Sequence, residues 1–185
     1  MKSFGKIAIA LSAAALLGSA SAPAALAAPA PVKWQRSIPY NLALEAAQAA
    51  LKCSQDNGFN ASVGVMDFAG QLKILLVPDG ATLIGQKVLI KKMNAALLRQ
   101  GDTASMVALT TTPGVRAEID TSSNVLERIA PGMAVVSPGA VPIFVGGSDP
   151  KTREFVGVLG VGGANGPVDT ECPLVGLAKI QDRLK

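Results

Sequence analysis

The sequence predicts an α+β domain, and three observations carry that expectation. Apolar residues recur at helical spacing near both ends of the chain, and alternating or continuous β-branched runs lie between them. Short Asp/Gly/Pro turns join these runs in pairs, which implies hairpins and therefore an antiparallel sheet. The element order is helix, two strands, helices, three strands, helix, so helices from the two ends can cover one face. A doubly wound parallel fold does not have this order.

The first 27 residues are read as a leader. Lys2 and Lys6 form a positive start, residues 7–17 an apolar core, and Ala25-Leu26-Ala27 an A-x-A cleavage signal. The apolar stretch is shorter than the roughly 20 residues a spanning helix requires. Cleavage would leave 158 of the 185 residues, enough for one domain. Residues 28–40 are a Pro/Ala-rich, extended lead-in containing Trp34, and residues 41–185 form the single domain. Export makes the periplasm or the exterior the expected location.

The first helix starts near Asn41, a capping residue type, with Glu45 in its early turns. Apolar positions 42, 46, 47, 50, 51 and 53 form its stripe, which stops at Asn57-Gly58. Val63 and Val65 mark a strand, residues 67–70 a turn, and residues 72–77 a second strand ending at Pro78-Asp79-Gly80. Residues 81–98 are helical, with apolar positions 84, 88, 89, 93, 96 and 97. Gly101-Asp102 breaks that helix, and residues 104–109 add a further turn or two. Residues 110–114 are a loop, and residues 122–129 a short helix. Residues 133–136, 141–145 and 155–161 are strands, the last two joined by a turn over 146–151. Residues 167–184 form the closing helix.

Composition excludes several functions. The chain has no histidine, which removes His-based zinc sites, Ser-His-Asp triads and His-ligated haem. Without Lys2 and Lys6, 15 basic residues face 13 acidic ones, a net charge of +2 that calls for no nucleic acid or anionic membrane. One Trp and one Tyr do not supply a base-stacking platform. Cys53 and Cys172 are the only cysteines, and in an oxidising compartment they are candidates for one disulfide, with two buried thiols as the alternative.

The glycine-rich run over residues 156–172 lacks the pattern of a nucleotide site. Gly160 and Gly162 satisfy the first two positions of a dinucleotide fingerprint, but Asn165 stands at the third. No Gly-Lys-Ser/Thr is present either, so the run is read as backbone turning from the last strand into the closing helix. Asp169 at that helix start would repel an anion or serve as an acceptor there.

Five stretches together resemble one family. VGVMDFAGQL (63–72) resembles the V-x-V-x-D-x-x-G-x-L hairpin of GlcG/HbpS-like proteins, and DGA (79–81) their second-helix start. KMNAA (92–96) matches K-A-x-T-A at its first and last positions, and GAVPI (139–143) is similar to the G-G-x-P-I strand. The run 156–173 resembles the family's V-G-x-I-G-V-S-G ending followed by D-x-x-C-A, which places Asp169 and Cys172. The resemblance implies a profilin-like α/β/α fold with a five-stranded antiparallel sheet. It also implies homo-oligomers and functions around haem binding or degradation, iron, or extracellular redox sensing; other members accompany glycolate or corrinoid metabolism.

The candidate ligand-binding residues are Asp67, Asp79, Gly80, Lys92 and Arg116. Asp67 and Asp79 are also turn formers. Helical spacing places Lys92 beside Val88, Leu89 and Ala96, where it snorkels to water or pairs with Asp67 or Asp79. No metal site is expected. Haem without histidine would be ligated by Met66, Met93, Met106, Met133, Tyr40 or another donor, or held by apolar contact with propionates paired to Arg116 and Lys92. The leading expectation is an exported, oligomeric small-ligand-binding protein, with haem or a related tetrapyrrole as ligand. One alternative is an enzyme on a small hydroxy- or oxo-acid using a Lys/Asp pair, although no complete catalytic constellation is present. The other is a structural or partner-binding assembly protein.

Overall fold

A computed structural model describes residues 35–109, 132–147 and 149–185. The elements are α1 (Tyr40–Asp56), β1 (Ser62–Asp67), β2 (Leu72–Leu76), α2 (Leu83–Arg99), α3 (Thr103–Leu109), β3 (Ala140–Val145), β4 (Glu154–Gly162) and α4 (Gly166–Ile180), followed by a 3-10 turn, Gln181–Arg183. The strands form an antiparallel sheet in the order β2-β1-β4-β3, with both predicted hairpins present. The fold class is therefore α+β as expected.

The predicted fifth strand is the correction: among the described residues the sheet has four strands. Residues 133–136 lie along α2 instead, where the Val135 N–H donates to the Lys91 carbonyl and Asn94 Nδ2 donates to the Met133 carbonyl, at 3.2 and 2.7 Å. The physical reason is local. Gly132 and Gly139 both take positive φ, and Pro138 lies between the run and β3, so four apolar residues are held in irregular backbone. The predicted loop at 110–114, the short helix at 122–129 and Arg116 fall outside the described residues.

The helices follow from caps and stripes. α1 begins after Pro39, one residue before Asn41, and no side chain caps it; it ends at Asn57, with Gly58 at φ 80°. Thr82 caps α2 by accepting from Gly85 N–H at 3.0 Å, and Gln100 ends it in the left-handed region. Asn165 caps α4, accepting from Val168 N–H at 3.0 Å, with Pro167 in the first turn where its missing donor costs nothing. The lead-in is pinned as well: Ile38 is fully buried, and its N–H donates to Val156 C=O at 3.1 Å.

α1 and α4 cover one face of the sheet, over Val63, Val65, Ile143, Leu159 and Val161. Cys53 and Cys172 join these two helices in a disulfide, with a Cα–Cα distance of 5.4 Å. α2 covers the opposite face, where Leu89 and Met93 are fully buried over Met66, Ala140 and Val158. Burying each such side chain contributes about 1.5–3 kcal/mol.

A row of small residues lets α2 come close. Gly64 pairs with Gly160 across β1 and β4, Gly160 with Ala140 across β4 and β3, and Gly162 with Ser62. A Cβ on Gly160 would lie 2.6 Å from Met93 Cγ, and one on Gly162 2.8 Å from the Gly85 carbonyl oxygen. Helix and sheet thus meet almost backbone to backbone at the start of α2. α3 is tied to β3 by Thr103, whose buried hydroxyl accepts from Ala140 N–H at 3.0 Å.

Candidate functional site

The close approach of α2 brings its inward-facing Lys92 under the start of α4. Lys92 and Asp169 are 3% and 4% exposed, and Nζ lies 2.5 Å from Oδ2. The other carboxylate oxygen, Oδ1, accepts from the Ala164 N–H at 3.2 Å, and the Gly163 N–H adds to its stabilisation. Gly163 can point its amide this way because it takes φ 111°. Gly139, at φ 130°, packs against the Lys92 amine so closely that a Cβ would sit 2.9 Å from Nζ. Burial pushes the Asp169 carboxyl above its ordinary value, while Lys92 and the two amides partly offset that rise.

The pair lies in an open cleft of about 320 Å³. One wall is α2, through Thr82, Ile84, Gly85 and Val88; another is Ser137 and Pro138; the third is Gly163, Ala164 and Gly166. Ile84 is 75% exposed, so this side chain offers apolar surface to whatever enters. The first turns of two helices, α2 and α4, end on the same cleft, each contributing partial positive charge.

The predicted site residues do not all converge. Lys92 lies in the cleft, but its carboxylate partner is Asp169, not Asp67 or Asp79. Asp67 is at the far end of β1, where Oδ1 accepts from the Ala69 and Gln71 amides, both at 2.9 Å; it shapes the β1–β2 turn. Asp79 is exposed in the turn before α2, and Gly80 holds φ 82° there. Neither lines the cleft. The sequence marks Asp169 as a helix-start acceptor or anion repeller and as part of the family's D-x-x-C-A ending, but does not show its partner. Its ion pair joins residues 77 positions apart, which no local periodicity reveals.

The donor set bears on haem. Met66, Met93 and Met106 are buried core residues, whereas Met133 and Tyr40 are exposed away from the cleft wall. Lys92 is the one amine on the cleft lining, and it is held by Asp169. The described residues therefore suit the periphery of a tetrapyrrole, through apolar contact and an ammonium, and do not present a ready axial ligand. Lys92 and Asp169 neutralise each other, which makes neither a free acid or base.

Fold and site together define a small α+β domain with a ligand-sized cleft over a buried ion pair. The chain belongs to the HbpS-like family: the family described as "Haem degrading protein HbpS-like" matches residues 38–178. Solved structures share the fold. A double mutant of HbpS from Streptomyces reticuli is 22% identical, with a TM-score of 0.62, covering 85% of this chain and 97% of that one. The ORFY protein of Klebsiella pneumoniae is 16% identical, with a TM-score of 0.66 and coverages of 82% and 96%. PduOC, solved as a complex with haem, is 18% identical, with a TM-score of 0.62 and coverages of 78% and 95%. No curated protein sequence matches this chain.

Proposed function

We propose that this protein binds haem or a related tetrapyrrole at the cleft between α2 and α4, without histidine ligation. The observation that carries the reading is the site's chemistry within an HbpS-like domain. An exposed apolar residue, Ile84, and a buried ammonium, Lys92, lie along the same α2 wall of a cleft in the lower part of the roughly 300–1,000 Å³ range of ligand pockets. A cleft of this size takes one edge of a macrocycle, with the rest of the ring lying against Ile84, Val88 and Pro138. The haem complex of PduOC, which shares the fold, supports the ligand class.

The protein acts after export, in the periplasm or outside the cell. The leader pattern of residues 1–27 supports this, as does the Cys53–Cys172 disulfide, a bond typical of oxidising compartments. It works as a homo-oligomer. Leu83, Leu174 and Val175, all 41% exposed or more, provide apolar surface for subunit contact.

Titration of the purified protein with haemin tests the ligand assignment. Saturable binding with a shifted Soret band is expected; a spectrum that only sums free haemin and protein, with no saturation, overturns it.

A further inference from the structure

We infer that the cleft is a carboxylate-recognition site, in which the Lys92 ammonium takes the ligand's carboxylate while Asp169 acts as its resident counter-ion. The inference deepens the tetrapyrrole reading and rests on it for one of two carboxylate sources, a propionate arm; the other is a free small organic acid.

The hydrogen-bonding capacity of the buried pair is unequal. An ammonium has three donors. One goes to Asp169 Oδ2, and no other protein group among the described residues accepts from Nζ, although Lys92 is only 3% exposed. Asp169, by contrast, has an acceptor role on both oxygens, to Lys92 and to Ala164 N–H. The spare capacity at the ammonium is therefore two donors, and donors left unmet at a buried cation are costly. The group that satisfies them is an acceptor.

Charge narrows the choice further. Asp169 cancels Lys92, and no other acidic side chain lines the cleft. The first turns of α2 and α4 add only partial positive charges, roughly half a unit each. That surplus suits a monoanion; a phosphate dianion would face Asp169 with too little compensation. A carboxylate offers two oxygens to the two spare donors, and Ile84, Val88 and Pro138 receive the carbon body behind it.

The test compares haemin, haemin dimethyl ester and hexanoate on the full chain by absorbance and calorimetry. Two variants accompany the wild type. The double variant Lys92→Met/Asp169→Leu removes both charges, a change that folded proteins tolerate better than leaving one buried charge alone. Asp169→Asn keeps the ammonium and removes its competitor.

The expected result is that haemin binds at least about tenfold more tightly than its ester, the scale of a lost charged hydrogen bond. The double variant should lose that preference, and Asp169→Asn should bind carboxylates more tightly than the wild type. Haemin and ester binding equally would overturn the carboxylate site while leaving the tetrapyrrole reading standing. Hexanoate bound by the wild type and lost in the double variant, with no tetrapyrrole bound, would overturn the tetrapyrrole reading and uphold the carboxylate site. Carboxylate binding that is weakened equally in both variants would reduce the pair to a structural role and overturn the inference.

Discussion

Asp169 has two jobs that the sequence shows unequally. Its acceptor role at the start of α4 follows from its place after Asn165-Gly166-Pro167, whereas its partnership with Lys92 depends on how α2 crosses the sheet. Asp67 and Asp79 had the stronger local signal, because Asp-x-x-Gly and Asp-Gly are turn chemistry, and turn chemistry is what Asp67 performs. The buried environment of Asp169 has a measurable consequence. Its folded-state carboxyl titrates above the unfolded one, so protonation favours the folded state. That contribution is full below the ordinary aspartate value, about 3.9, and is lost as pH rises through the raised folded value. Urea unfolding of the wild type and Asp169→Asn between about pH 3 and 6 should show the wild type's relative stability falling as pH rises. A relative stability that climbs with pH would contradict the electrostatics described for the pair.

Helices and hairpins were legible because their signals are local: α1, α2 and α4 all start and stop within a few residues of their predicted bounds. Residues 133–136 misled because a short apolar run fits a strand or a packed loop equally well, and only the surroundings decide. Glycine meaning was also illegible from sequence alone. Gly162 and Gly166 sit four positions apart in one Gly-rich run, yet only the first is crowded. A Cβ on Gly162 would meet the Gly85 carbonyl and the Leu89 backbone within 2.9 Å, while one on Gly166 meets nothing within 4 Å. Gly162→Ala should therefore cost about 1–3 kcal/mol by overpacking a place where backbone must yield. Gly166→Ala should be neutral or stabilise by up to about 1 kcal/mol, since alanine suits a helix better. Chemical denaturation of the two variants reads the contrast directly; equal losses would mean α2 can lift away from the sheet freely.

At the scale of the whole molecule, the disulfide links two cysteines 119 residues apart in sequence, enclosing all four strands of the sheet together with α2 and α3. Closing so long a loop in the unfolded chain contributes up to about 4–5 kcal/mol in the chain-entropy picture. Reduction, or the paired change Cys53→Ala/Cys172→Ala, should lower the denaturation midpoint accordingly; an unchanged midpoint would show that the α1–α4 layer holds without it. The opposite layer has no such covalent tie and depends on close packing against the sheet. Were β1 to pair one residue out of step with β4, Val63 would stand opposite Gly160 and turn towards α2 in place of Gly64. Met93 already occupies the space where even a methyl group on either glycine would stand, at 2.6–2.7 Å. A mispaired sheet thus cannot accept α2, and Lys92 never reaches Asp169. The glycine row proofreads strand pairing, so that a chain with a finished cleft is also one whose sheet was assembled in the right frame.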